Sequence, residues 1–351
     1  MRPEPTRIEP IFSPRIWGAR SLAPIYPDKT NLAEPLGEAW LTGPACKIAN
    51  GPFANSELQS AWRTMPPEWR GSELASTVHF PLLVKFIFPN DQLSIQVHPD
   101  DAYARKNESS EACGKTEMWH AVYAHPGAEV LLGLIPGVDR QQFQVAIGER
   151  TLESLFQRWP VSRGDTFFVP AGTPHTIGPG VILCEIQQSS DFTYRLYDFG
   201  RVDAAGNPRE LHMEKGLAVI AFHRQKGGKM PPVALTSRDT TKKSLLAACP
   251  YFASERWDFS TNQNHQAVSN PSRFELLVTL NGAGSIVWND GSAPFQQGQC
   301  WLIPANLGEF SLQPRESTAI LRTYVPNITE LRSRLLRDGI SRELLQEIIF
   351  D

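Results

Sequence analysis

The chain has 351 residues, enough for about two domains that each bury a core without staples. A formal net charge of −3 with no basic stripe argues against a nucleic-acid partner, no stretch approaches the ~20 apolar residues of a membrane span, and the polar, proline-broken start lacks the apolar core of a signal peptide. Five cysteines, odd in number and never paired in a motif, predict reduced thiols in a cytoplasmic protein and exclude a cysteine-based metal site.

Twenty-nine prolines and 25 glycines separate short runs rich in Val, Ile, Phe and Leu, the pattern of an all-β sandwich or barrel with few helices. Strands are predicted over 80–88, 93–97, 130–134, 166–169 and 181–187, with a helical segment at 139–159. The polar stretch 224–241, which contains Lys226-Gly227-Gly228-Lys229 and Pro231-Pro232, reads as a linker. Beyond it 274–280, 285–288, 298–304 and 319–325 read as strands. Asn327-Ile328-Thr329-Glu330 resembles a capping box opening a helix with Leu331, Leu335 and Leu336 on one face, and a last helix is expected over 341–350. Each half carries a glycine turn leading into a strand that ends in Pro-Ala: Gly164-Asp165 to Pro170-Ala171, and Gly298-Gln299 to Pro304-Ala305. This predicts a duplicated β module, 1–223 and 242–351. The second copy has no histidine after His265 and is expected to have lost any metal site.

The most informative stretch is Gln96-Val97-His98-Pro99-Asp100-Asp101, because alternate residues of a strand share a face and Gln96 and His98 can reach one point together. Glu117, in Gly114-Lys115-Thr116-Glu117, and His175, at the end of Val169-Pro170-Ala171-Gly172-Thr173-Pro174-His175, complete a candidate set. Two imidazoles, a carboxylate and an amide oxygen suit Zn²⁺ and leave room for a substrate oxygen. The other six histidines lack such a setting and read as structural.

Ile16-Trp17-Gly18, Gly37-Glu38-Ala39-Trp40, Ala49-Asn50-Gly51-Pro52 and the stretches 80–85, 93–101, 114–119, 169–175 and 188–195 together resemble the type I mannose-6-phosphate isomerases, in their shorter bacterial form. The resemblance covers nearly the whole chain. It implies two cupin (jelly-roll) barrels with peripheral helices, the segment 139–159 standing where longer members carry a larger helical insertion. It implies one zinc ion per chain held by Gln96, His98, Glu117 and His175, and interconversion of mannose 6-phosphate and fructose 6-phosphate through a cis-enediol. It makes Arg195, Lys115 and Asp191 catalytic, and places Ser94, Lys115, Lys85 and Glu38 around the sugar phosphate. On a strand, Lys115 would share the face of Glu117, and Ser94 that of Gln96. Asp191, four residues before Arg195, either orients that guanidinium or moves a proton; the base is left unassigned. Trp17 and Glu38 are expected to hold the N-terminal segment against the barrel, and Trp119 and Tyr194 to pack. The expected partner is a small sugar phosphate, in a monomer or weak homodimer. Two readings compete: a cupin oxygenase, whose Fe(II) also takes two His and one carboxylate but which leaves Lys115 and Arg195 unexplained, and a sugar-binding cupin without turnover.

Overall fold

Period-two alternation builds two cores at once. In the strand Leu82–Ile87, Leu82, Val84 and Phe86 face one apolar cluster and Ile87 another; in Glu117–Ala124, Met118 and Val122 face the first while Trp119 and Ala121 face the second. In Val181–Gln188 the same division sends Ile182, Cys184 and Ile186 one way and Val181 and Leu183 the other. A strand buried on both faces must be apolar almost throughout, which is why these runs show little polar alternation.

The computed structural model describes residues 1–203, 205–223, 227–236 and 241–351. The three strands lie side by side in a seven-stranded antiparallel sheet, ordered Gly228–Met230, Thr166–Val169, Glu117–Ala124, Val181–Gln188, Leu82–Ile87, Leu36–Trp40 and Ile11–Ala19. A five-stranded sheet faces it, ordered Tyr194–Tyr197, Ile95–Val97, His175–Ile177, Glu129–Leu134 and Phe156–Pro160. The second module repeats the plan with a seven-stranded and a four-stranded sheet, and its larger sheet lies back to back with that of the first. Phe86, Cys184 and Ile186 from one side and Leu276, Leu302 and Leu321 from the other share a single core. The fold is thus mainly β and antiparallel. Among the described residues neither pair of sheets closes into a continuous barrel, so each module is an open two-sheet jelly roll.

The segment expected to be helical throughout 139–159 is not. Asp139 and Gln142 form a capping box that opens a helix over Arg140–Glu149, which stops at Arg150 in the left-handed region (φ 59°). A 3-10 turn, Leu152–Leu155, follows, and Phe156–Pro160 is an edge strand with Trp159 opposite Val130. Pairing with a waiting strand outweighs the modest helix propensity of those residues. Within 224–241, residues 224–226 and 237–240 lie outside the described residues, and the rest carries two short strands. Gly228–Met230 pairs with Thr166–Val169 of the first module and Val233–Leu235 with Lys242–Ala248 of the second. Thr6–Ile8, from the other end of the chain, pairs with Cys300–Ile303. Near the C-terminus the Asn327 side chain caps Glu330 and opens Ile328–Arg337 with Leu331 and Leu335 buried, whereas Leu336, expected on the same face, turns outward. The helix Arg342–Ile348 is capped by Ser341. No described helix is long and apolar enough to cross a membrane.

Candidate metal centre and active site

The site lies between the two sheets of the first module. Across the five-stranded sheet Arg195, Gln96 and His175 stand in one register row. Across the opposite sheet Lys85, Glu185 and Trp119 form another, with Gln187 and Glu117 in the same pair of strands two residues along. Polar side chains thus enter at chosen points of otherwise apolar faces.

His98, Glu117 and His175 are fully buried, and their candidate ligand atoms lie within 4.8 Å of one another. His98 Nδ1 donates to the Phe192 carbonyl at 2.8 Å and His175 Nδ1 to the Thr173 carbonyl at 2.9 Å. A ring whose Nδ1 is spent this way presents Nε2 as its free lone pair. Those Nε2 atoms lie 3.5 Å (His98) and 3.4 Å (His175) from the two carboxylate oxygens of Glu117. Burial keeps both rings neutral: His98 titrates well below its ordinary value, and His175 is pushed down to about 3. Two neutral imidazoles and a carboxylate aimed at one point fit a divalent metal ion. The Gln96 amide touches this cluster, with Nε2 3.3 Å from His175 Nε2, and the Ser94 hydroxyl approaches the other end of that amide.

Lys115 precedes the Glu117 strand instead of lying on it, yet its ammonium arrives where a strand position would have sent it. It sits 3.1 Å from His98 Nε2, contacts Glu117 Oε2, and is 3.8 Å from Glu185. Burial alone would lower its pKa; Glu117 and Glu185 outweigh that and raise it. Lys85, also buried, donates to Asp191 at 2.7 Å and lies over the Trp40 ring. Asp191 therefore pairs with Lys85 and not with Arg195. Glu38 accepts from Arg15 at 2.6 Å and from Trp40 Nε1 at 2.8 Å, and Trp17 packs inside the sandwich core. Arg195 donates to the Glu210 carbonyl at 2.7 Å, and its buried Nε has no partner among the described residues. Ser94, Gln96, Lys115, Lys85, Asp191, Arg195 and Glu38 line one cavity of about 420 Å³.

Arg15, Arg209 and Glu185 share that cavity and do not stand out in the sequence. Only Glu185 left a trace there, as the one charge in the apolar run 181–186. Its carboxyl is pushed up to about 7, by burial most and by Glu117 as well, against the downward pull of Lys115. Trp119 packs as expected but also shares its indole N–H between Glu117 at 3.1 Å and Glu185 at 3.2 Å, bridging the two carboxylates.

Residues 6–127 match the family model for the phosphomannose isomerase type I catalytic domain, and residues 241–324 match that for the mannose-6-phosphate isomerase cupin domain. The chain is 32% identical over 323 residues to the mannose-6-phosphate isomerase ManA of Bacillus subtilis, covering 89% of this chain and 97% of that protein. It belongs to the type I mannose-6-phosphate isomerase family. The mannose-6-phosphate isomerase of Streptococcus mutans is 31% identical, covering 86% and 92% of the two chains. The crystal structure of the Bacillus subtilis mannose 6-phosphate isomerase superimposes with a TM-score of 0.82 at 27% identity, over 91% of this chain and 99% of that one. The type I catalytic-domain match contains Gln96, His98, Lys115 and Glu117; His175, Glu185 and Arg195 lie beyond it, brought in by the strands that follow. The cupin-domain match falls on the second sandwich.

Proposed function

We propose that the protein is a zinc-dependent aldose–ketose isomerase that interconverts mannose 6-phosphate and fructose 6-phosphate through a cis-enediol. Residues 1–223 form its catalytic module and 242–351 its second cupin. The observation that carries this reading is the meeting of His98, Glu117 and His175 directly behind Gln96 and Lys115, which line a cavity together with Arg195 and Lys85. The donor set, with Gln96 adjoining, suits zinc, which when bound supplies Lewis-acid polarisation of a substrate oxygen. Arg195 keeps a spare N–H and, among the described residues, has no carboxylate within salt-bridge reach, so its charge is available to the enediolate or to a substrate oxygen beside the metal. Lys85, fixed by Asp191, and Ser94 offer donors to the sugar phosphate. Lys115 and Glu185, 3.8 Å apart with the Glu185 carboxyl near neutrality, form a pair able to hold and pass a proton. On this reading the enzyme works in the cytoplasm as a monomer or weak homodimer.

The test is a coupled assay over a panel of hexose 6-phosphates on protein of measured metal content. Turnover of mannose 6-phosphate that follows bound zinc and consumes no oxygen is expected. Binding of that sugar without release of fructose 6-phosphate, or iron-dependent oxygen uptake, would overturn the reading.

A further inference from the structure

We infer that Asp101, closed over by Tyr251 of the second sandwich, is a positioning residue for Lys115, so that the second module serves the active site without entering it. The inference rests on the isomerase reading above.

Three chain segments deliver the site: one follows His98, one runs through Lys115 to Glu117, and one follows Gln188 to Asp191 and the Phe192 carbonyl that anchors His98. Where they meet, around Pro99, Lys115 and Ser189, none is in a strand, and a single carboxylate ties them. Asp101 Oδ1 accepts the backbone N–H of Gly114 at 2.7 Å and the Nε2 of Gln188 at 2.8 Å; Gln188 Oε1 in turn accepts the N–H of Thr116 at 2.9 Å. The amides on both sides of Lys115 are thereby held, and its own N–H donates to the Pro99 carbonyl at 3.0 Å. Bonds to a carboxylate are the stronger kind, and here they fix backbone from which a buried ammonium reaches Glu117. Gly114 makes the close approach possible, since a Cβ there would stand 2.7 Å from the Asp100 carbonyl carbon and from the Asp101 nitrogen.

Helix capping does not account for Asp101. The helix Asp101–Asn107 is capped by Asp100, whose side chain accepts from Tyr103. The second oxygen of Asp101 is met by Arg105 at 3.1 Å and by the Tyr251 hydroxyl at 3.4 Å, which extends from the turn joining Lys242–Ala248 to Ala253–Phe259. Asp101 thus stands between the second sandwich and Lys115, one oxygen serving each.

The experiment compares Asp101→Ala, Asp101→Asn and Tyr251→Phe in the full-length, zinc-loaded protein, reading bound metal, kcat and KM for mannose 6-phosphate, and hydrogen exchange of the 112–117 amides. Asp101→Ala should keep its metal and nearly its KM, lose kcat on the order of 10²-fold as expected for a misplaced group, and speed exchange at Gly114 and Thr116. Asp101→Asn, whose amide oxygen still accepts from Gly114, should restore most of both; Tyr251→Phe should lose a few-fold in kcat at unchanged KM. Unaltered kcat or exchange in Asp101→Ala, or an Asn variant as poor as Ala, overturns the positioning role. Should Asp101→Ala not fold, wild-type kcat and exchange in Tyr251→Phe overturn the part given to the second sandwich. A wild-type protein without turnover overturns the isomerase reading instead, and the exchange comparison then decides the positioning claim by itself.

Discussion

An imidazole whose Nδ1 is committed to a carbonyl has one lone pair left to offer, and His98 and His175 turn theirs to the same point beside the Glu117 carboxylate. Removing His98, Glu117 or His175 as Ala should therefore lower metal content and turnover together. Arg195→Ala should separate the two: its guanidinium touches no ligand of the set, so metal analysis is expected to read the wild-type value while kcat falls by about 10²–10³-fold, the cost of losing one donor to a developing oxyanion. Retention of full metal and rate in His175→Ala would remove that residue from the centre. These groups were legible in the sequence because their chemistry sits in short local patterns, Gln-x-His and Pro-His. Lys115 was legible through its spacing from Glu117, although an irregular segment and not a strand places it. Which partner each charge takes was not legible, because Asp191 meets Lys85 from 106 positions away and Glu185 meets Lys115 from a strand 70 residues further on.

Strands show why duplication was readable and its consequence was not. The repeated Pro-Ala strands set the register: Glu117 pairs with Val169 beside Pro170 and Glu275 with Ile303 beside Pro304, so Glu275 stands where Glu117 does, with Glu255 two strands away. In the second sandwich, however, these carboxylates meet a guanidinium: Arg322 donates to Glu275 at 2.8 Å and to Glu255 at 3.0 Å, and the Tyr324 hydroxyl closes the group at 3.0 Å. A permanent cation built into the chain does the neutralising there. Replacing Arg322 with Met would strand two buried carboxylates, at a cost of about 3–5 kcal/mol. Urea unfolding should show the loss, while metal bound by the first module stays unchanged. A variant as stable as the wild type would mean that Glu255 and Glu275 take up protons at little cost. The strand 156–160 escaped notice for a related reason: its helical-looking composition is overruled by a partner strand more than twenty residues earlier, which no local window contains.

At the scale of the whole molecule, the two larger sheets share one core, and further contacts cross between the modules. Phe350, beside the C-terminus, stacks on Phe168 of the first module at 3.9 Å. Arg256 of the second module donates to His120 Nε2 at 3.2 Å, and His120 Nδ1 lies 2.9 Å from the Thr166 hydroxyl, so both ring nitrogens are satisfied only while the ring is neutral. A proton on Nε2 would face the guanidinium in a buried site. Burial first, then Arg256 and Arg163, accordingly push His120 down to about 3. In the unfolded chain the ring charges near its ordinary value of about 6.5. Between these values the unfolded state binds a proton that the native state refuses, so the His120 contribution to stability is whole above about pH 6.5 and drains away as pH falls toward 3. Relative to His120→Gln, the stability of the wild-type protein should therefore fall by about 1.4 kcal/mol for each pH unit below about 6. Denaturant unfolding of both proteins at several pH values measures that slope directly. A difference that stays constant from pH 7 to 4 would mean that His120 titrates alike in both states, and that the joint between the sheets takes up the charge.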